Sequence, residues 1–315
     1  MKWKKQGLIY KTDKLSWWQS SHTYCPTPLL LDDRIRIYVT FWDPDKRGRP
    51  GYIDVEIDNP KKIIDISGVP CLPLGDRGCF DEDGRTCTSV RWEPHAMFYQ
   101  MLYIGWQRQV NVPYSLFTGT ATSEEGRLFR APAKIPWLDR TSRAPFTRSG
   151  ASYVVGDDVL FPHVAYLESN KWIWSVEYQR YWFDSSIALL DTNLDKHIDI
   201  VLPRRDGEWC FGRPWIIRKQ GKLHMWYVYR KDTEPGHYIQ GYAIANDTLE
   251  HHPESISFER FIEPPIPLGK AGEFDSESAS HATVLEVAPN KYYMFYMGNE
   301  FGKEGFGWAE ARSLG

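Results

Sequence analysis

Short apolar runs, many alternating with polar positions, recur along the whole chain and are cut repeatedly by Gly, Pro, Asn and Asp. Alternation with a period of two is the strand signature, and long amphipathic helical patterns are missing. The chain is predicted to be all-β. The runs also keep an order: RIRIYVTFW, a DPDKRGRPG loop, then YIDVEID. MFYQMLYIGWQ, RQVNVP and SLFTGTATSEEG repeat it, as do KWIWSVEYQ with SSIALLD, and KLHMWYVYR with KDTEPGHY and IQGYAIAND. The clearest copy is GEFDSESASHATVLEVAPNKYYMFYMGNEFGKEGFGWA, which starts at Gly272.

A further run leads into each copy: PTPLLLDD, GCFDEDGRTCTSVRW, APFTRSGASYVV, WCFGRPWIIRK and, in the last, SHATVLEV. Thr27, Thr88, Ser149, Arg213 and His281 stand at matching places, about 60 to 70 residues apart. That spacing exceeds common propeller repeats, and four antiparallel strands per unit with long loops would fill it. Five such units arranged radially predict a five-bladed β-propeller spanning residues 1–315 as a single domain. A two-sheet sandwich competes with this arrangement, but the recurring strand-loop-strand order favours the propeller. The last unit has room for three strands only. Residues Trp3 to Tyr10 are therefore expected to supply its outermost strand and close the ring by pairing the two terminal segments.

Composition adds a hint about ligands. Aromatics make up 15% of the chain, with 14 Trp and 18 Tyr, which suits half-buried sheet faces and also sugar-stacking clefts. A net charge of −3 with both signs scattered points neither to nucleic acid nor to an anionic membrane. No run approaches the roughly 20 apolar residues of a membrane helix, and the N-terminal stretch is unlike a secretory signal. The five cysteines include no CxxC pair, so free thiols in a reducing, cytoplasmic setting are expected.

In a propeller, the loop leading into each inner strand and the loop between the second and third strands share one face. The first set offers His22, Asp81, Asp83, Arg143, Arg148, Arg213, Asp275, Glu277 and His281. The second offers Asp43, Trp106, Gln107, Tyr114, Arg230, His237 and Asn299. Two carboxyl groups on one face suit acid and base or nucleophile work. Asp81 and Asp275 each follow a Gly-x-Phe, with Asp83 and Glu277 two residues on, so Asp81, Asp275 and Glu277 are the catalytic candidates. The motif also reads as a turn in which the Asp caps backbone N–H groups. Arg143, Arg213 and Arg230 suit an anionic ligand, because guanidinium groups grip carboxylate and phosphate in a fork. Trp106, Tyr114 and Trp182 suit stacking on a sugar ring. His22 and His281 flank the expected axis without a clear third ligand, so neither a metal nor a cofactor is expected.

The repeats FDEDGRTCTSV…MLYIGW, GRPWIIRKQGKLHMWYVYR and FDSESASHATVLEVAPNKYYMFYMGN resemble blades of the five-bladed glycosidase superfamily. That superfamily holds arabinanases, β-xylosidases, invertases, levansucrases and mannoside phosphorylases. The resemblance covers nearly the whole chain and is greatest to uncharacterised glycosidase-like propellers of surface-polysaccharide gene sets. These carry a similar opening, PTPLLLDDRIRIYVTFWD, and a similar end, YMGNEFGKEGFGWA. It implies a carbohydrate-active enzyme that cleaves or transfers a glycosyl group, on a carbohydrate or sugar-phosphate substrate. The arabinanase pattern would place Asp on the first and third inner strands and Glu on the fourth. This chain instead offers His22, Arg148 and Arg213 there. A silent sugar-binding or assembly protein, or recruitment to other biosynthetic chemistry, is the alternative. His22, Arg143, Arg213, Arg230, His281, Asn299, Trp106 and Tyr114 would bind the ligand.

Overall fold

The computed structural model describes residues 2–14, 16–156, 163–175, 180–191, 197–200, 202–232 and 234–314. Among them the strands fall into consecutive antiparallel groups, as the alternating runs predict. After β1 (Lys4–Tyr10), the first group is β2 (Ser21–Leu30), β3 (Ile35–Trp42), β4 (Gly48–Val55) and β5 (Ile63–Ile66). The second is β6 (Gly84–Glu93), β7 (Phe98–Arg108) and β8 (Tyr114–Ser123). The third is β9 (Thr147–Tyr153), β10 (His163–Ser175), β11 (Arg180–Asp191) and β12 (His197–Ile200). The fourth is β13 (Glu208–Lys219), β14 (Lys222–Lys231), β15 (Glu234–Asn246) and β16 (Glu259–Arg260). The last is β17 (Ser280–Ala288), β18 (Lys291–Met297) and β19 (Phe306–Ala311), and β1 lies outside β19 as its fourth strand.

One group departs from the expected four strands. Beyond β8 the chain makes only single bridges, Thr122 with Arg130 and Thr118 with Leu138. Pro132 and Pro136 stand in that stretch, and a proline cannot donate to a ladder.

The first strand of every group is innermost, and side chains tie each inner strand to the next. Thr283 Oγ1 donates to the carbonyl of Pro26 (2.8 Å), Thr27 Oγ1 to that of Cys87 (3.3 Å) and Thr88 Oγ1 to that of Ala151 (2.6 Å). Ser152 Oγ donates to Pro214 (2.5 Å), and Trp215 Nε1 to Val284 (2.9 Å), which returns to the strand where the series began. Thr27 and Thr88 hold the matching places read from the sequence. In the later groups Ser152, Trp215 and Thr283 hold them, a few positions beyond Ser149, Arg213 and His281. The inner strands are bulged there: register slips between Trp209 and Trp215 and between Ser280 and Thr283, as it does before Thr27 in β2. Arg213 (φ 47°) and His281 (φ 55°) sit at these bulges in left-handed backbone, rare for residues with a side chain.

Apolar layers fill the space between neighbouring groups. Tyr38 and Tyr52 meet Met101 and Tyr103; Leu102 meets Val164 and Tyr166; Ala165 and Ile187 meet Ile216 and Met225. Trp215 and Trp226 meet Val284 and Tyr292, and Phe295 and Tyr293 meet Ile37 and Phe41. The architecture is all-β and propeller-like, with a core between each pair of neighbouring groups.

Candidate functional site

Inner strands begin, and second strands end, at one face of the molecule, so side chains distant in sequence converge there. They enclose a cavity of about 180 Å³. Tyr24, Trp42, Trp106, Tyr114, Trp182 and Tyr238 give it aromatic walls, and Cys25, Ser185, Cys210, Arg213 and His281 supply its polar and sulfur atoms. Trp106 meets Tyr114 edge-on at 5.0 Å. A second recess of about 310 Å³ shares Trp42, Tyr238 and Phe301 and adds His22, His237 and Glu300, which makes it the outer part of the same opening. Phe301 and Glu300 are held there by consecutive positive φ angles of 59° and 48°.

Arg213 is the one charged side chain among the described residues lining the cavity. It is 3% exposed. One terminal nitrogen donates to the carbonyl of Thr88 (2.7 Å) and the other to Thr27 Oγ1 (2.9 Å), while its buried Nε has no hydrogen-bond partner. Among the described residues no carboxylate pairs with it. A buried charge without a counter-charge is costly, and an incoming anion would relieve that cost. Arg230 stands behind the wall rather than in it, with its guanidinium 4.1 Å from the Trp182 ring centre and 4.4 Å from that of Tyr238.

Burial holds His281, Cys25, Cys210, Tyr24 and Tyr238 neutral. Burial lowers His281 well below the usual histidine value, and Arg213 and Arg230 lower it further. Burial pushes the Cys25 thiol up to about 11 despite Arg213, and raises Cys210, Tyr24 and Tyr238 as well. The field inside the cavity is therefore positive.

Of the expected ligand-binding residues, the fold brings Trp106, Tyr114, Arg213 and His281 to the cavity wall. His22 lines the outer recess, stacked 3.8 Å from Trp42. Asn299 supports the loop beneath: its Oδ1 accepts from the backbone N–H of Glu277 (2.8 Å) and of Ser278 (2.9 Å). Arg143 does not join them, because its half-exposed side chain donates to Glu168 (3.0 Å). Tyr24, Trp42, Tyr238 and Phe301 escaped sequence reasoning. Trp42 carried a readable signal, since it ends its second strand just as Trp106 nearly ends its own.

The carboxylate candidates are placed otherwise. Asp81 and Asp275 are each 1% exposed and neither lines the cavity. Asp81 accepts from Tyr103 (2.8 Å) and pairs with Arg85 (2.6 Å); Asp275 accepts from Tyr296 (2.9 Å) and pairs with Lys5. Phe80 stacks on Tyr103 and Phe274 on Tyr296, while Gly78 and Gly272 share a φ of 86° that a glycine adopts freely. The fold thus keeps these two catalytic candidates out of the cavity wall. Gly-x-Phe-Asp is a wedge that locks a turn onto the second strand of its group. Glu277 is exposed, with its backbone held by Asn299. Among the described residues no three His, Cys, Asp or Glu side chains are grouped to hold a metal ion.

The buried histidines predict a pH dependence. Burial, with Lys303 nearby, lowers His22 from 6.5 to about 4, and burial beside Lys222 does the same to His224. With His281 depressed too, the unfolded chain binds protons first as pH falls. Stability is complete above about 6.5 and declines from there towards 4. The melting temperature is expected to be several degrees lower at pH 5 than at pH 7; equal values would contradict these assignments.

No family model matches the chain. An uncharacterised protein of Mycobacterium tuberculosis strain H37Rv is 26% identical over 329 residues, covering 98% of this chain and 99% of the relative. A thermostable family-43 glycoside hydrolase of known structure superimposes with a TM-score of 0.64 at 17% identity, over 92% of this chain and 88% of its own. A structure from the GH130 family of mannoside phosphorylases, which contains glycoside hydrolases that target β-1,2-mannosidic linkages in Candida mannan, gives 0.67 at 15% identity, over 98% and 93%. In fold, this chain stands with the propeller-type glycoside hydrolases.

Proposed function

We propose that the chain is a cytoplasmic carbohydrate-active protein: one five-bladed β-propeller, closed by its terminal strands, whose axial cavity receives a sugar unit bearing a carboxylate or phosphate. One observation carries the reading: a buried guanidinium, Arg213, without a carboxylate partner among the described residues, at the wall of an aromatic cavity. Sugar rings present apolar C–H faces that stack on Trp and Tyr, and an anionic substituent completes the arginine. No described residue lining the cavity is an Asp or Glu, so the site favours binding over two-carboxylate hydrolysis. Glycosyl transfer is the second reading, and Glu300 in the outer recess favours it. A phosphate held by Arg213 would need only one protein acid to assist departure of the sugar.

The test is a panel of uronic acids, sugar phosphates, their neutral counterparts and inorganic phosphate, assayed by calorimetry and thermal shift. An anionic sugar is expected to bind at least about tenfold more tightly than its neutral counterpart. A Glu277→Gln variant should bind the same compound unchanged. Equal binding of neutral sugars, or none by any member, would overturn the proposal.

A further inference from the structure

The aromatic wall of the cavity does not stop at its rim. Tyr114 lies 6.0 Å from both Trp172 and Phe183, which face each other across the β10–β11 ladder 5.9 Å apart. One strand period further along the same ladder, Trp174 opposes Tyr181, their rings 5.0 Å apart. Side chains two apart on a strand share a face, so all four rings stand on one side of this hairpin. The inner pair is partly or fully covered, whereas Trp174 is 50% and Tyr181 40% exposed. The intervening residues, Ile173 and Trp182, point the other way; Trp182 lines the cavity and covers Arg230, and Phe183 lines the cavity from the face of the strip. One hairpin thus supplies the cavity wall from both faces, and on the Phe183 face its rings continue as an aromatic strip leading into solvent.

We infer that the ligand is an oligosaccharide: its terminal unit occupies the cavity, and the units behind it lie along the strip that ends at Trp174 and Tyr181. This rests on the sugar-binding reading of the cavity. Exposed large aromatic rings continuous with a pocket mark an interaction surface. A pyranose chain is the occupant that suits both ends. It offers an apolar ring face to each aromatic step, while its hydroxyls stay in water along the open side of the strip.

The experiment compares the full chain with a Trp174→Ala/Tyr181→Ala double variant. Both are titrated with a bound monosaccharide from the anionic panel and with its di- and tetrasaccharides. Wild type is expected to gain about tenfold in affinity from monomer to tetramer, and the double variant to lose that gain while binding the monomer normally. The variant should melt as wild type does, since both side chains are exposed. A length gain that survives in the variant, or no gain in wild type, would overturn the inference and leave the cavity reading standing. Failure of every sugar to bind would remove both. A wild-type dimer that the variant converts to a monomer would also overturn it, by assigning the strip to self-association.

Discussion

A chain lacking residues 1–10 is expected to lose cooperative melting, or to melt at least about 15 °C below the intact protein. β1 is the outer strand of its sheet, with Lys4 opposite Glu310, Leu8 opposite Gly307 and Tyr10 opposite Phe306. Its side chains reach into two different cores. Trp3 packs edge-on against Trp226 at 6.3 Å, between the fourth and last groups. Ile9 and Tyr10 join the layer between the last and first groups. Loss of a buried Trp alone costs about 3–5 kcal/mol, and a whole domain is stable by only about 5–15 kcal/mol. The deletion also strands Asp275, whose cation is Lys5, as a buried carboxylate. Circular dichroism during heating, with and without a synthetic peptide of residues 1–12, reads the effect. Recovery of the transition by the peptide would locate the loss in strand pairing. An unchanged midpoint in the truncated chain would disprove it.

Arg213→Met is expected to weaken binding of an anionic sugar by about 100-fold while moving the melting temperature little. The guanidinium gives two hydrogen bonds to Thr88 and Thr27, so its removal has a structural cost. That cost is offset, because a buried cation without a counter-charge is replaced by an apolar side chain of similar length. Arg213→Lys should retain charge and still bind weakly, since an ammonium cannot reproduce the planar fork. Calorimetry with the same ligand, beside thermal melts of the three proteins, separates binding from folding. Undiminished affinity in Arg213→Met would place the anion elsewhere.

Much of this architecture was legible in the order of the strands. RIRIYVTFW, MFYQMLYIGWQ, KLHMWYVYR and KYYMFYM all became second strands, and the N-terminal run completed the last group as its missing edge implied. The bulges were not legible. Each inner strand is displaced by irregular backbone at residues such as Arg213 and His281, and alternation alone cannot register an inserted residue. The aspartate wedges were hidden for a different reason. Asp81 takes its cation from the same strand region, Arg85, but Asp275 takes Lys5 from the other end of the chain. Two identical motifs therefore have partners that no local pattern links. The cavity lining depended on which strand ends meet, so Trp106 and Tyr114 were found from their loop while Tyr24 and Tyr238 were not.

The pairing of β1 with β19 also orders events during synthesis. Lys4–Tyr10 leaves the ribosome long before Phe306–Ala311, its partner strand. Until then its ladder groups have no partner, and Trp3, Ile9 and Tyr10 have no core to enter. Such a long-range pairing makes the docking of β1 a late and slow step, and a waiting strand edge invites pairing with another nascent chain. The contact that completes the native molecule is thus also the point at which its assembly is most exposed to error.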